Sequence, residues 1–348
     1  MIRAARYSQI LVKASAERSY LLSKEQLRRL VECKTLNELA VQLQGSPYES
    51  LLRLSKPPSA VNFQRVFKED LVRVYNKMMA FSPKRIIEFL GSYLRYLEIE
   101  NLKVLIKLKN AGVSYGSILN VLLLSIEEVF KMKERFIRAA KAKDVNGVIE
   151  AFKGTVYDPI LSEGLKRYEE TGLTKFFDFS LDRTYHDYLL SSAESLPREE
   201  REIALLVAGL RVDVFNIVTA IRSKFLGYPP HLTFRAITRR FFRLSEKQVR
   251  NIVSSSDIRE ALAYVRESFY GNFLTPHDNI EEFIKDFERK VNHFILRNIS
   301  RERLAKPFTI AVPLEVMLRK EIETKNLVML SSGIEFGWNP KDILSMLL

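Results

Sequence analysis

Gly112-Val113-Ser114-Tyr115-Gly116 has the G-x-S-x-G spacing that, in a nucleophile elbow, exposes a serine hydroxyl on a sharp turn between a strand and a helix. Here the preceding residues carry helical rather than strand periodicity, and the corresponding turns Gly227-Tyr228-Pro229 and Gly337-Trp338-Asn339 lack a serine, so acyl transfer has no support. His186, His231, His277 and His293 show no i,i+3 or i,i+4 pairing and Cys33 is alone, so no metal site is expected. No glycine precedes a Lys-Ser or Lys-Thr pair at P-loop spacing. Carboxylates are plentiful on amphipathic segments, and no catalytic pair stands out among them. The expectation is a protein without catalytic residues, cofactor or small-molecule substrate.

What does stand out is recurrence. Aligned without gaps on Asn101, Asn216 and Asn326, the chain shows an acid three residues earlier (Glu98, Asp213, Glu323). An aliphatic residue lies four earlier (Leu97, Val212, Ile322), another one later (Leu102, Ile217, Leu327), and a glycine eleven later (Gly112, Gly227, Gly337). Copies about 110 residues apart mark an internally repeated architecture. Mid-helix Asn costs stability because its side chain competes for backbone hydrogen bonds, so its threefold placement asks for a use. The acid lies on the same helix face at i,i+3 and is placed to accept from the amide. Each pair either orients a polar contact between helices of its own module or joins the others in lining a shared polar cavity or partner surface.

A second pattern centres on Tyr48, Tyr157 and Tyr270. Thirteen residues before each stands a good helix N-cap, Thr35, Asp144 or Asp257, and two before stands a hydroxyl, Ser46, Thr155 or Ser268. Each tyrosine reads as a core aromatic with an anchored hydroxyl. Two independent patterns in one order, the Tyr unit preceding the Asn unit by roughly 55 residues, define three homologous modules: 1–124, 125–244 and 245–348.

Arg235, Arg239, Arg240 and Arg243, interleaved with Phe234, Phe241 and Phe242, read as a basic helical patch. Such a patch is either a solvated helix face over core phenylalanines, an acidic-partner surface, or an RNA-binding surface in which arginines meet phosphates and rings stack on bases. The net charge of +13 likewise implies acidic partners, whether nucleic acid, anionic lipid headgroups or an acidic protein surface.

Positioning these residues falls to helices. Glycine is scarce at 13 residues. Ser23–Gln26, Thr35–Glu38, Ser125–Glu128 and Ser245–Gln248 fit the capping box. The spacing predicts helices over Val61–Phe81 after the Pro57-Pro58 break, and one long helix from Pro83 to Gly112. Further helices are expected over Ser125–Ala142, near Phe176–Ser192, from Pro197 to Phe225, from Glu246, over Glu281–Arg297 and over Leu314–Asn326, with Lys306–Pro313 as a loop. The apolar run Ile118–Leu124 is far short of the ~20 residues of a membrane span. The N-terminus carries charges at Arg3, Arg6 and Lys13, unlike a signal segment. One cysteine fits a reducing cytoplasm.

The three E/D-x-x-N-Leu/Ile repeats with downstream glycine, each preceded by a Tyr unit, resemble the C subunit of the archaeal A-type ATP synthase, the counterpart of the d subunit in V-type ATPases. The opening run Tyr7, Lys13, Leu21-Leu22-Ser23, Leu27, Leu30, Leu36, Glu38-Leu39, Leu43 and Tyr48 is similar to the start of that family. The third copy departs, with Ile334 where Lys109 and Lys224 stand and Thr324-Lys325 in place of Val214-Phe215. The resemblance implies an all-α fold of three helical-bundle modules in tandem, in a pseudo-threefold, funnel-like arrangement. It also implies a non-catalytic central-rotor component, peripheral at the cytoplasmic face of the membrane. That component would couple the D and F subunits of the central stalk to the membrane rotor ring of proteolipid subunits, with anionic lipid headgroups as a further partner and no nucleic acid. A helical-repeat RNA-binding protein is the competing reading.

Overall fold

A computed structural model describes residues 2–54 and 58–347; Pro57 of the expected proline break lies outside the described residues. The described chain is all-α. In order come α1 (Ile2–Ser19), α2 (Lys24–Val31), α3 (Leu36–Gln42), α4 (Glu49–Leu54), α5 (Ala60–Ala80), α6 (Lys84–Leu94) and α7 (Tyr96–Asn110). Then come α8 (Tyr115–Val121), α9 (Leu124–Val129), α10 (Lys133–Lys141), α11 (Val145–Ala151), α12 (Asp158–Thr171), α13 (Lys175–Glu194) and α14 (Arg198–Phe225). The last are α15 (Pro230–Ala236), α16 (Glu246–Ser254), α17 (Ile258–Arg266), α18 (Ile280–Ala305), α19 (Ala311–Glu335) and α20 (Pro340–Met346), with a 3₁₀ turn at Phe269–Phe273 between α17 and α18.

Local chemistry sets most of these boundaries. Thr35, Asp144 and Asp257 each accept a backbone N–H of the first turn they precede. Ser23 with Gln26 and Ser245 with Gln248 form reciprocal capping boxes. Thr35 caps in the same way, but Glu38 reaches back to the N–H of Lys34. Ser125 does not cap. Leu123 occupies the N-cap of α9, and the chain turns at Lys131 (φ 59°), so the expected Ser125–Ala142 helix is two short helices. The expected long helix after Pro83 is likewise divided at Arg95, whose N–H is shared between the carbonyls of Gly91 and Ser92. A Gly-Ser pair is a usual place for such a kink. α18 and α19 outrun their expected limits, and α19 can start before Pro313 because that residue falls in its first turn, where a missing N–H costs little.

The three repeat glycines end their helices in the same way. Gly112, Gly227 and Gly337 take φ of 70°, 71° and 67°. In each copy the next residue's N–H reaches five residues back, Val113 to Leu108, Tyr228 to Ser223 and Trp338 to Gly333. This is the Schellman closure, which needs a left-handed residue and so favours glycine.

The helices form two compact units, the first of residues 1–87, 123–131 and 299–348, the second of 88–122 and 132–298. In the first, α5 and α19 pack along each other with α1 against both. Phe63, Phe67, Tyr48, Leu39, Leu327 and Leu330 share its core. α19 is buried on nearly every side, with Lys325 and Glu335 exposed, so it has no amphipathic stripe. In the second unit α12, α13 and α14 pack in series, with α16 and α17 against α14. α14 is long and apolar enough to cross a bilayer by length and composition. It is nevertheless largely buried within its unit, and Glu200, Asp213 and Asn216 on it are buried too.

Replacing Gly227 by Ala puts a Cβ at a left-handed φ and is expected to lower stability by about 1 kcal/mol, whereas Asn should cost less. The urea midpoints of the two variants, at unchanged slope, check this.

Candidate functional site

Each repeat acid lies mid-helix and is essentially removed from water: Glu98 on α7, Asp213 on α14 and Glu323 on α19 are 0%, 0% and 5% exposed. A buried carboxylate is costly unless donors surround it. The first donor is the same in all three copies, a repeat tyrosine hydroxyl: Tyr157 to Glu98 at 2.6 Å, Tyr270 to Asp213 at 2.8 Å and Tyr48 to Glu323 at 2.5 Å. Tyr157 and Tyr270 each belong to the Tyr unit that follows the acid in the chain. Glu323, in the last copy, turns instead to the first Tyr unit, 275 residues upstream. The polar contact thus joins the acid of one sequence repeat to the Tyr unit of another.

The tyrosine is aimed by its own turn. Ser46, Thr155 and Ser268 each accept the N–H of the tyrosine two residues on and donate to the carbonyl three residues back, Leu43, Phe152 and Val265. Rings close the pocket edge-on, Tyr48 against Phe67 at 5.1 Å and Tyr157 against Phe152 at 6.0 Å between centroids. Burial and the adjacent carboxylate push all three phenols above their ordinary range, so each hydroxyl stays a donor.

The remaining donors differ, and they explain a position that the sequence pattern did not single out. Three residues before the acids stand Arg95, Leu210 and Lys320. Arg95 donates to Glu98 Oε2 at 2.8 Å. Lys320, itself buried, stands 2.9 Å from Glu323 Oε1, 2.6 Å from the Tyr48 hydroxyl and 2.5 Å from Asp70 Oδ2. Asp70 pairs with Arg73 at 2.7 Å, and Arg73 and Lys77 pair with Glu17 of α1 at 3.1 and 2.6 Å. Although burial opposes it, Arg73 and Lys77 hold the Glu17 carboxyl below its usual range. α1, α5 and α19 are thereby tied by one alternating chain of charges, and the Leu22 N–H adds a donor to Glu323 at 2.5 Å.

Asp213, with Leu210 where the cation stands elsewhere, is held by backbone. The N–H groups of Phe242, Arg243 and Leu244 donate to it at 3.0, 2.6 and 3.0 Å. Burial raises its pKa while these donors and Tyr270 work against the rise. Asn216 does not bond its neighbouring acid. Its Oδ1 accepts the Thr238 N–H at 3.0 Å and its amide donates to the Arg240 carbonyl at 3.2 Å. The pair Asp213–Asn216 therefore pins the segment 237–244, and the Phe242 ring lies over Gly209, where a Cβ would stand 2.3 Å from its Cγ. Asn101 and Asn326 are buried on α7 and α19 beside their acids.

That pinned segment alters the arginine cluster. Only Arg235 lies on a helix; Arg239, Arg240 and Arg243 follow on irregular backbone, so they do not form a helical patch. Arg240 pairs with Glu194 at 2.5 Å, and Arg243 covers the Phe242 and Phe269 rings at 4.9 and 5.7 Å. Arg235 and Arg239 are exposed. Ser114 of the G-x-S-x-G stretch caps α8 by accepting the Ser117 N–H, after a helix rather than a strand.

Together these features describe an all-helical scaffold whose conspicuous chemistry is the holding of its own buried charges. The chain matches the ATP synthase (C/AC39) subunit family over residues 10–346 and belongs to that family, whose members are structural rather than catalytic components. It is 25% identical to the A-type ATP synthase C subunit of Methanocaldococcus jannaschii, an alignment covering 100% of this chain and 88% of that protein. The corresponding C subunits of Methanothermobacter thermautotrophicus and Thermococcus gammatolerans are each 25% identical. They cover 89% and 97% of this chain and 79% and 88% of their own lengths. The comparisons offer no support for RNA binding.

Burial, partly offset by Arg95 and Tyr157, pushes Glu98 up from near 4.5 to about 7. A folded pKa above the unfolded one means the folded state holds its proton longer, so this group's contribution to stability falls as pH rises between those values. Glu98→Gln should remove that dependence. Its stability relative to the parent is expected to rise by on the order of 3 kcal/mol between the ends of the window, read from urea midpoints against pH. Lys320→Met leaves Asp70 and Glu323 buried without their shared cation and should cost about 3–5 kcal/mol, measured in the same way.

Proposed function

We propose that the chain is a non-catalytic central-rotor component of an A/V-type rotary ATP synthase or ATPase. In this reading it is a socket that couples the D and F subunits of the central stalk to the proteolipid ring during ion-driven ATP synthesis, held peripherally at the cytoplasmic face of the membrane. The observation that carries the reading is the family match across residues 10–346, reinforced by relatives that are A-type ATP synthase C subunits by name.

The physical character of the chain supports it. A torque-transmitting part must deform little under load, and close-packed helices are stiff. The three buried acid–tyrosine contacts resist sliding of one helix on the next, since displacement would strip a buried charge of its donors. We read the chain as three homologous modules, 1–124, 125–244 and 245–348, joined by these contacts. A joint assembled from separate subunits suits polar and charged complementarity, which a net charge of +13 supplies toward acidic partner surfaces or anionic lipid.

The test is co-migration of the purified chain with the purified D and F subunits on a sizing column at near-physiological salt, followed by capture of the detergent-solubilised ring. A stable complex that also retains the ring is expected. Absence of any complex, with cellular RNA retained on the chain and a steep fall of its affinity with salt, would overturn the rotary reading.

A further inference from the structure

Helix α15 stands between two clefts in the second unit. Leu232 and Arg235, at i,i+3, line one of about 370 Å³ together with Lys166, Phe176 and Phe179. Phe234 and Ile237, also at i,i+3 but turned to the other side, line a second of about 210 Å³ with Arg239, Phe241 and Val249. The floors are aromatic and aliphatic, and the rims are basic.

The charges around these clefts are sorted. Arg183 pairs with Glu163, Arg167 with Glu170, Arg250 with Glu246 and Arg240 with Glu194, all within 2.8 Å. Lys166, Arg235 and Arg239 are exposed and pair with no carboxylate among the described residues. The rim of each cleft thus keeps cationic charge that the fold does not neutralise, next to apolar surface that the fold does not cover. The framework is also fixed in advance. The segment that carries Arg239 and Phe241 is anchored by Asp213 and Asn216 through four backbone N–H groups, and by Phe242 seated on Gly209. Preorganisation of this kind lowers the ordering cost of binding.

We propose that the α15 ridge with its two clefts is a docking surface for an acidic protein segment whose bulky apolar side chains enter the clefts while its carboxylates meet Lys166, Arg235 and Arg239. Charge complementarity sets the sign of the partner, and guanidinium forks match carboxylates. Two separate concave clefts of about 370 and 210 Å³ suit the side chains of a peptide better than the plane of a lipid surface. Nucleic acid fits less well: Phe176, Phe179, Phe234 and Phe241 are half-buried in the floors, so they do not present free faces for stacking bases. The inference stands on the second unit alone and does not depend on the rotary reading.

The probe is a fluorescein-labelled peptide of 12 to 15 residues in which Glu and Asp alternate with Phe and Leu, titrated with the full chain and read by anisotropy. Saturable binding is expected. Arg235→Glu with Arg239→Glu should weaken it at least tenfold, and Leu232→Ser with Phe241→Ser, which leaves every charge in place, at least fivefold. Lys24→Glu with Arg28→Glu, equal in charge but in the first unit, should change it less than twofold. Circular dichroism melts of the same variants separate loss of binding from loss of fold. Equal weakening by the two charge-reversal pairs, or no weakening by the Ser pair, would reduce the surface to general electrostatics and overturn the proposal. So would tighter binding of phosphatidylglycerol vesicles or polyuridylate than of the peptide, lost in the Arg235→Glu, Arg239→Glu variant.

Discussion

A carboxylate in the middle of a packed helix dictates what must surround it. Glu98, Asp213 and Glu323 have almost no access to water, and each is held by the hydroxyl of a tyrosine that reaches it from another part of the chain. Removing water from the charge makes each of these bonds stronger than it would be at the surface and makes its loss correspondingly costly. The tyrosine turn, its Ser or Thr bracket and the ring packed edge-on against it all serve to deliver one O–H to one place.

The charge itself is balanced in two ways. Arg95 and Lys320 bring a cation from the turn before, whereas Asp213, with Leu210 there, collects three backbone N–H groups from the segment 242–244. The first solution ties helices to one another, most extensively in the chain from Glu17 through Arg73, Asp70 and Lys320 to Glu323. The second orders an irregular segment, and through it the surface around α15. One repeated residue therefore braces a core in one copy and shapes an exterior in another.

For a part proposed to carry torque, the distinction matters. Apolar packing alone tolerates small slips between helices, since one hydrophobic contact replaces another at little cost. A buried ion–hydroxyl contact has no equivalent position a fraction of a turn away, so the register of α19 against α5, or of α14 against the 3₁₀ turn at Phe269–Phe273, is fixed in discrete terms.

Much of this was legible in sequence. The N-caps Thr35, Asp144 and Asp257, the left-handed glycines and most helix limits rest on interactions within a few residues, and local chemistry decides them. Sequence also marked the acids and the tyrosines as recurrent. What it did not contain was their pairing. Nothing local says that Tyr157 serves Glu98, or that Glu323 closes on Tyr48 from the far end of the chain, because those distances are set by how helices pack. The same cause turned Asn216 toward Thr238 and Arg240 rather than Asp213, and held Arg240 and Arg243 in an irregular segment off a helix. Spacing along a chain fixes which residues share a face; only the tertiary structure decides what that face meets.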